Sequence, residues 1–128
     1  MTLLDASIII DALREKDLHL MRRMHSVGGA VCGVTRAEIL SGARGSKDRT
    51  KLLTILDGFQ QVAFPDSMWD DVGDRLAQLR AGGVTAPLAD TVLATAALAL
   101  DVEVWARDND FNNIQRVFPD LKLFVESP

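Results

Sequence analysis

Four acids stand where an apolar run ends or a helix begins: Asp5, Glu38, Asp90 and Asp108. Asp5 follows the run Thr2-Leu3-Leu4, and Asp108 lies two residues past the run that ends at Ala106. Three of them sit in apolar sequence, in Leu3-Leu4-Asp5, Ala37-Glu38-Ile39-Leu40 and Leu88-Ala89-Asp90. Carboxylates are almost never fully buried without partners, and no equally placed set of Lys or Arg answers these four. If they converge, burial and mutual repulsion raise the pKa of some of them. A hard divalent cation removes that conflict, because Mg²⁺ takes oxygen ligands and keeps several waters.

Each acid also has a local reading. Asp5 can cap a helix that begins near Ser7. Glu38 closes Thr35-x-x-Glu38, a capping box. Asp90 falls in the first turns of a helix opened by Thr85 and Pro87, where the helix dipole favours an acid. Asp108 can form an Asx turn leading into Phe111. One at a time, the caps are the commoner explanation. Together, the shared placement at strand-to-helix junctions favours a cation site. A rival cluster, Asp66, Asp70, Asp71 and Asp74, reads as an N-cap followed by a solvated helix face.

The basic residues Arg36, Arg44, Lys47, Arg49 and Lys51 crowd into one stretch around Gly42 and Gly45. They are either a solvated loop and helix face or a phosphate-steering patch beside Glu38. Cys32, the single cysteine, lies in an apolar run and reads as a buried small residue. His19 and His25 have no partners at zinc-ligand spacing.

The elements that must position these groups alternate between short apolar runs and helical periodicity. Strands are expected at residues 2–4, 30–34, 61–64, 102–106 and 122–125. Helices are expected from Ile8, over Leu18 to Met24, over Thr35 to Ala43, around Leu52 to Leu56, over Ser67 to Arg80 and over Ala86 to Leu100. The last is apolar nearly all round, which predicts burial. Strands alternating with helices imply an α/β domain with a mainly parallel sheet and helices on both faces. Such sheets present functional groups beyond the carboxyl ends of their strands, which is where Asp5 and Asp108 fall.

The 128 residues suit one domain. Hydrophobic residues make up 48% and charged residues 25%, ordinary values for a globular protein. The net charge of −4 excludes a nucleic-acid binder that works through bulk positive charge. Any such contact must be local or helped by a bound cation. The lone cysteine excludes an intrachain disulfide and fits a reducing compartment. The N-terminus lacks a basic leader, and the longest apolar stretch, Val92 to Leu100, falls far short of the roughly 20 residues a spanning helix needs. A cytoplasmic protein is expected.

Four segments together carry a resemblance. Leu4-Asp5-Ala6-Ser7, Thr35-Arg36-Ala37-Glu38-Ile39-Leu40-Ser41-Gly42, Pro87-Leu88-Ala89-Asp90-Thr91-Val92-Leu93-Ala94 and Ala106-Arg107-Asp108-Asn109-Asp110-Phe111 resemble the signature segments of the PIN-domain family. Within it they look most like the VapC ribonuclease toxins of toxin–antitoxin systems. The resemblance implies a three-layer α/β/α fold around a parallel sheet and Mg²⁺- or Mn²⁺-dependent cleavage of RNA. It further implies a homodimer and a cognate antitoxin. By position it makes Asp5, Glu38, Asp90 and Asp108 the acids of the site, with Asp5, Asp90 and Asp108 on the metal. Glu38 would act through water or position the nucleophile, and Ser7 would brace the site. Where the family often carries Thr or Ser, this chain has Ala106, which removes a hydroxyl partner for a carboxylate and leaves Asp110 open to share the part of Asp108. Arg36, Arg44 and Lys47 are the candidate RNA contacts. A PIN-type nuclease on structured DNA and a non-catalytic interaction module are the alternatives.

Overall fold

Parallel strands covered on both faces must be largely apolar on both faces, and the runs after Met1, Gly28 and Val102 meet that demand except at their first residues Thr2 and Glu103. The computed structural model describes residues 1–127. Its elements in chain order are β1 (Thr2–Leu4), α1 (Ala6–Arg14), α2 (Leu18–Ser26), β2 (Gly29–Cys32), α3 (Gly33–Ser41), α4 (Ser46–Asp57), β3 (Gln60–Val62), α5 (Trp69–Ala81), α6 (Leu88–Leu100), β4 (Glu103–Trp105), α7 (Asp110–Val117) and β5 (Lys122–Leu123). The strands form one sheet in the order β3-β2-β1-β4-β5, with every pair parallel. Thr2 pairs with Gly29 on one side of β1 and with Glu103 on the other.

Alternation along the strands divides the core into two layers. Leu3, Ala30, Cys32 and Val104 pack with α5, α6 and α7, whereas Leu4, Val31 and Trp105 pack with α1 to α4. The result is the expected three-layer α/β/α arrangement. Close packing of α2 on the sheet depends on Gly29, where a Cβ would stand 2.5 Å from the Met24 carbonyl oxygen.

The strand order decides where function can sit. The chain moves outward from β1 through β2 to β3, then returns and moves outward again from β4 to β5 on the other side. The direction reverses between β1 and β4, and a reversal of this kind opens a crevice beyond the carboxyl ends of the two strands. Asp5 follows β1 directly, and its N–H donates to the Trp105 carbonyl at the end of β4 (2.9 Å).

α6 is buried from Asp90 through Ala97, as its all-round apolar sequence predicts. Its two buried threonines satisfy themselves within the helix. The Thr91 hydroxyl donates to the Pro87 carbonyl (3.0 Å) and the Thr95 hydroxyl to the Thr91 carbonyl (2.7 Å).

Several boundaries differ from the sequence expectation. α3 starts at Gly33, not Thr35, so Thr35 lies inside the helix and no capping box forms. The Thr35 hydroxyl donates instead to the Leu4 carbonyl (3.3 Å), tying α3 to the end of β1. A single 3₁₀ turn, Asp66–Met68, replaces the expected start of α5 and leaves Asp66 without a side-chain cap bond. β1 has the expected bounds, whereas β2 to β5 end earlier than expected, because pairing stops where the chain must turn away from the sheet. α7 was not anticipated as a helix. Its polar residues Asp110, Asn112, Asn113 and Gln115 mask the pair that packs inward, Phe111 and Ile114.

Candidate metal centre

Asp5 is placed by the last hydrogen bond of β1 and oriented by the first turn of α1. Its Oδ2 accepts from the Ser7 N–H (3.1 Å) and from the Ser7 hydroxyl (2.5 Å). The same hydroxyl accepts from the Arg107 N–H (2.9 Å). Ser7 therefore ties the end of β1 to the segment after β4, across the crevice. Asp90 arrives from the other layer on α6 and is buried. Asp108 lies in the turn between β4 and α7, where its Oδ1 accepts from the Asp110 N–H (3.0 Å). This is the Asx turn expected from sequence, and it leads straight into α7.

Asp5, Asp90 and Asp108 each offer a carboxylate oxygen within 4.8 Å of the other two. Glu38, on an exposed part of α3, stands at the edge of the group. Burial raises its pKa first, then the charges of Asp5 and Asp108. Asp110, the first residue of α7, lies close enough to Asp90 for their carboxyls to share a hydrogen bond.

The electrostatics of the centre are unfavourable as they stand. Burial pushes Asp90 up to about 8, helped by the charge of Asp5, the hydrogen bond with Asp110 and the charges of Asp108 and Asp110. Asp108 is raised by burial and by Asp5, with the Asp110 N–H pulling the other way. Asp90 Oδ2 is buried and meets no hydrogen-bond partner among the described residues. A buried, unsatisfied carboxylate oxygen is costly. Converging oxygen donors with no His or Cys among them suit a hard cation such as Mg²⁺ or Mn²⁺, so the residues present fit that group.

The three candidate RNA contacts part company. Arg44 lines a cavity of about 460 Å³ together with Glu38. Lys47 is exposed in the first turn of α4. Arg36 is engaged elsewhere, with its guanidinium 2.9 Å from Asp57 and 3.0 Å from the Gln61 side-chain oxygen. Residues two apart on a helix do not face each other, so Arg36 and Glu38 point to different sides of α3.

The residue that sequence reasoning missed is Arg107. Its guanidinium donates to both oxygens of Glu126 (3.1 and 2.8 Å) and to Asp11 (3.4 Å). It clamps the segment before Asp108 to α1 and to the C-terminal tail. Nothing in the spacing of residues 11, 107 and 126 announces that meeting. The half-buried Ala106 packs against the α5–α7 layer, so the crossing hydroxyl at this edge comes from Ser7.

The PIN domain family model matches residues 2–117. No curated protein matches the chain by sequence. Among solved structures, one chain of VapBC2 from Rickettsia felis bound to a promoter DNA fragment superposes with a TM-score of 0.76 at 18% identity, over 96% of each chain. DNA-bound VapBC from Salmonella typhimurium gives a TM-score of 0.75 at 19% identity, again over 96% of each. A toxin–antitoxin complex from Klebsiella pneumoniae gives 0.65 at 20% identity, over 87% of this chain and 90% of that one.

Proposed function

This chain belongs to the PIN-domain family, and from that premise we propose that it is a metal-dependent endoribonuclease, the toxin of a toxin–antitoxin pair. The observation that carries the reading is the convergence of Asp5, Asp90 and Asp108 at the crevice between β1 and β4, with one Asp90 oxygen left without a partner. Asp5, Asp90 and Asp108 would hold Mg²⁺ or Mn²⁺. When bound, the ion supplies Lewis acidity that makes a water a competent nucleophile near neutral pH and offsets charge on the scissile phosphate.

The chain's own groups divide the remaining work. Ser7 fixes which oxygen of Asp5 faces the centre by donating to the other. Glu38, at the edge of the group and raised by burial and then by the charges of Asp5 and Asp108, would accept a proton from a water more readily than an ordinary carboxylate. Asp108 would complete the ligand set, and Asp110 stands beside Asp90 within hydrogen-bond reach of its carboxyl.

The partner in this reading is an antitoxin protein. Its support is a second cavity of about 420 Å³ between α1, α2 and α4, lined by Ala12, Leu13, Leu18, Met21 and Ile55 among others, which suits the apolar face of a helix. The same reading makes the protein a cytoplasmic homodimer. Trp69 and Leu88 are left exposed at the starts of α5 and α6, and such residues are enriched at protein contacts. Among the described residues no helix is long and apolar enough to cross a membrane.

The test is cleavage of RNA with Mg²⁺ or Mn²⁺ by the purified chain and by Asp5→Asn. The wild type should cleave only with metal, and the variant should lose more than the roughly 10–100-fold typical of outer-sphere changes. Equal cleavage by both proteins would sink the ribonuclease reading. Cleavage of structured DNA in preference to RNA would redirect it, and the absence of any metal-dependent thermal stabilisation would leave an interaction module.

A further inference from the structure

Among the described residues ion pairs engage Arg14, Arg36, Arg107 and Lys122, and most other cations, Arg22, Lys47 and Arg49 among them, are unpaired. Arg36 meets Asp57, Arg107 meets Asp11 and Glu126, and Lys122 meets Asp101. Lys16, Arg44 and Lys51 have no carboxylate within ion-pair distance among the described residues, yet all three line the same cavity. Arg14 joins them, with a side chain 74% exposed and held only by a 3.9 Å contact to Asp11. Of the two acids on this cavity, Asp48 is engaged, because its Oδ2 accepts from the Arg44 N–H (2.8 Å). The other is Glu38, at the edge of the acid cluster. In a chain of net charge −4, four cations are thus gathered along one groove that shares Glu38 with the edge of the acid cluster.

Lys16 sits just past α1 with φ of +52°, the left-handed residue of a helix C-cap in which its N–H donates to the Leu13 carbonyl (3.3 Å) and the Asp17 N–H to the Ala12 carbonyl (3.0 Å). The floor of the groove is aliphatic, formed by Ile10, Leu13, Ile39 and Leu52. Cations along the rim suit the phosphates of a single nucleic-acid strand, and the aliphatic floor gives its bases and sugars an apolar surface to cover, without aromatic stacking. A volume near 460 Å³ accommodates a short stretch of one strand and not a duplex.

We propose that the groove between α1, α3 and α4 is the track of the single-stranded RNA flanking the scissile phosphate, with Arg14, Lys16, Arg44 and Lys51 contacting its backbone. This rests on the ribonuclease reading above and names where its substrate lies. It keeps Arg44, between α3 and α4, and replaces Arg36 and Lys47 with Arg14 of α1, Lys16 just past it and Lys51 of α4. Contacts of this kind position a strand without reading its sequence. The net acidity of the chain is then no obstacle, since a local group of cations is enough to steer a strand.

The test uses Arg44→Glu/Lys51→Glu and a fluorescein-labelled oligouridine, with cleavage and anisotropy measured across a salt series. The double variant should raise KM about tenfold or more. It should also flatten the dependence of log Kd on log salt by about 1.4, since each single-strand phosphate contact is worth about 0.7. Mn²⁺-dependent thermal stabilisation should be unchanged, which shows that the variant is folded and its metal centre intact. Arg80→Glu, an exposed reversal on α5 away from the groove, should leave KM unchanged. Lys16→Gly should raise Tm by relieving the left-handed strain and weaken oligouridine binding; a lysine without a contact role would give only the first. Unchanged KM and salt slope in Arg44→Glu/Lys51→Glu, with a wild type that cleaves, would overturn the groove alone. The same result combined with loss of binding to a co-expressed antitoxin would assign the groove to the protein partner and also overturn the proposal. A wild type that neither binds nor cleaves oligouridine would remove the ribonuclease reading itself, and the groove proposal with it.

Discussion

Arg107 and Asp108 are adjacent in sequence and opposite in electrostatic condition. Arg107 is satisfied: its guanidinium meets Glu126 and Asp11, and its N–H meets Ser7. Asp108 faces Asp5 and Asp90 with no cation in reach among the described residues. The clamp shows that this fold can bring opposite charges together at the sheet edge. The cluster beside it is therefore a placement of charge that some other partner must answer. Pairing fixes the turn after β4 in place, and the fixed turn then holds a carboxylate where it is uncomfortable.

The sharpest way to break the contrast is to neutralise its least comfortable member. Asp90→Asn should abolish metal-dependent cleavage and at the same time stabilise the metal-free protein. The sign follows from linkage. Asp90 titrates near 8 in the folded chain and near 3.9 when unfolded. The folded state thus binds more protons between those values, and metal-free stability falls as pH rises from about 4 to 8. Glu38 and Asp108, also raised, add to that slope in the same direction. Asp90→Asn should flatten it and add at least about 1.4 kcal/mol at pH 8, the worth of one pKa unit, as read by denaturation without metal. A variant less stable than wild type across this range would show that the cluster is not strained.

Ser7→Ala is the next largest test, because it removes the one hydroxyl that touches both sides of the comparison. Losing its bonds to Asp5 and to the Arg107 N–H should weaken metal affinity about 10–100-fold, as outer-sphere partners do. Titration of Mn²⁺ followed by thermal shift checks this, and unchanged affinity would make Ser7 a helix cap and nothing more. Arg107→Gln carries the smallest expected effect on stability, about 1 kcal/mol for a partly exposed pair network. Its expected signature is a metal midpoint that rises while metal-free stability barely moves. A loss confined to stability would separate the clamp from the centre.

Some of this was legible before any tertiary structure. Apolar runs of three to five residues between helical stretches define a parallel sheet, because only covered strands are apolar on both faces. Asp5 and Asp90 were legible as acids in apolar surroundings, and Asp5 is at once the cap expected of it and a member of the cluster. α7 was not legible as a helix, since its polar residues carry no pattern beyond Phe111 and Ile114. The capping box at Thr35 was a plausible local reading that failed. The helix begins two residues earlier, and Leu4 offers Thr35 a better use for its hydroxyl.

By itself, then, the sequence determined the layers, the sheet and the kinds of group at its edge, since burial and periodicity are written residue by residue. Only the tertiary structure decided which groups meet. The reversal of strand order between β1 and β4 brings residues 5, 90 and 108 within one ligand shell. It also draws Arg107 to Asp11 and Glu126, and it leaves Arg36 turned to Asp57 while Arg44 and Lys51 face the groove. Electrostatic pairing acts over a few ångströms and is indifferent to distance along the chain, so spacing alone could not reveal it.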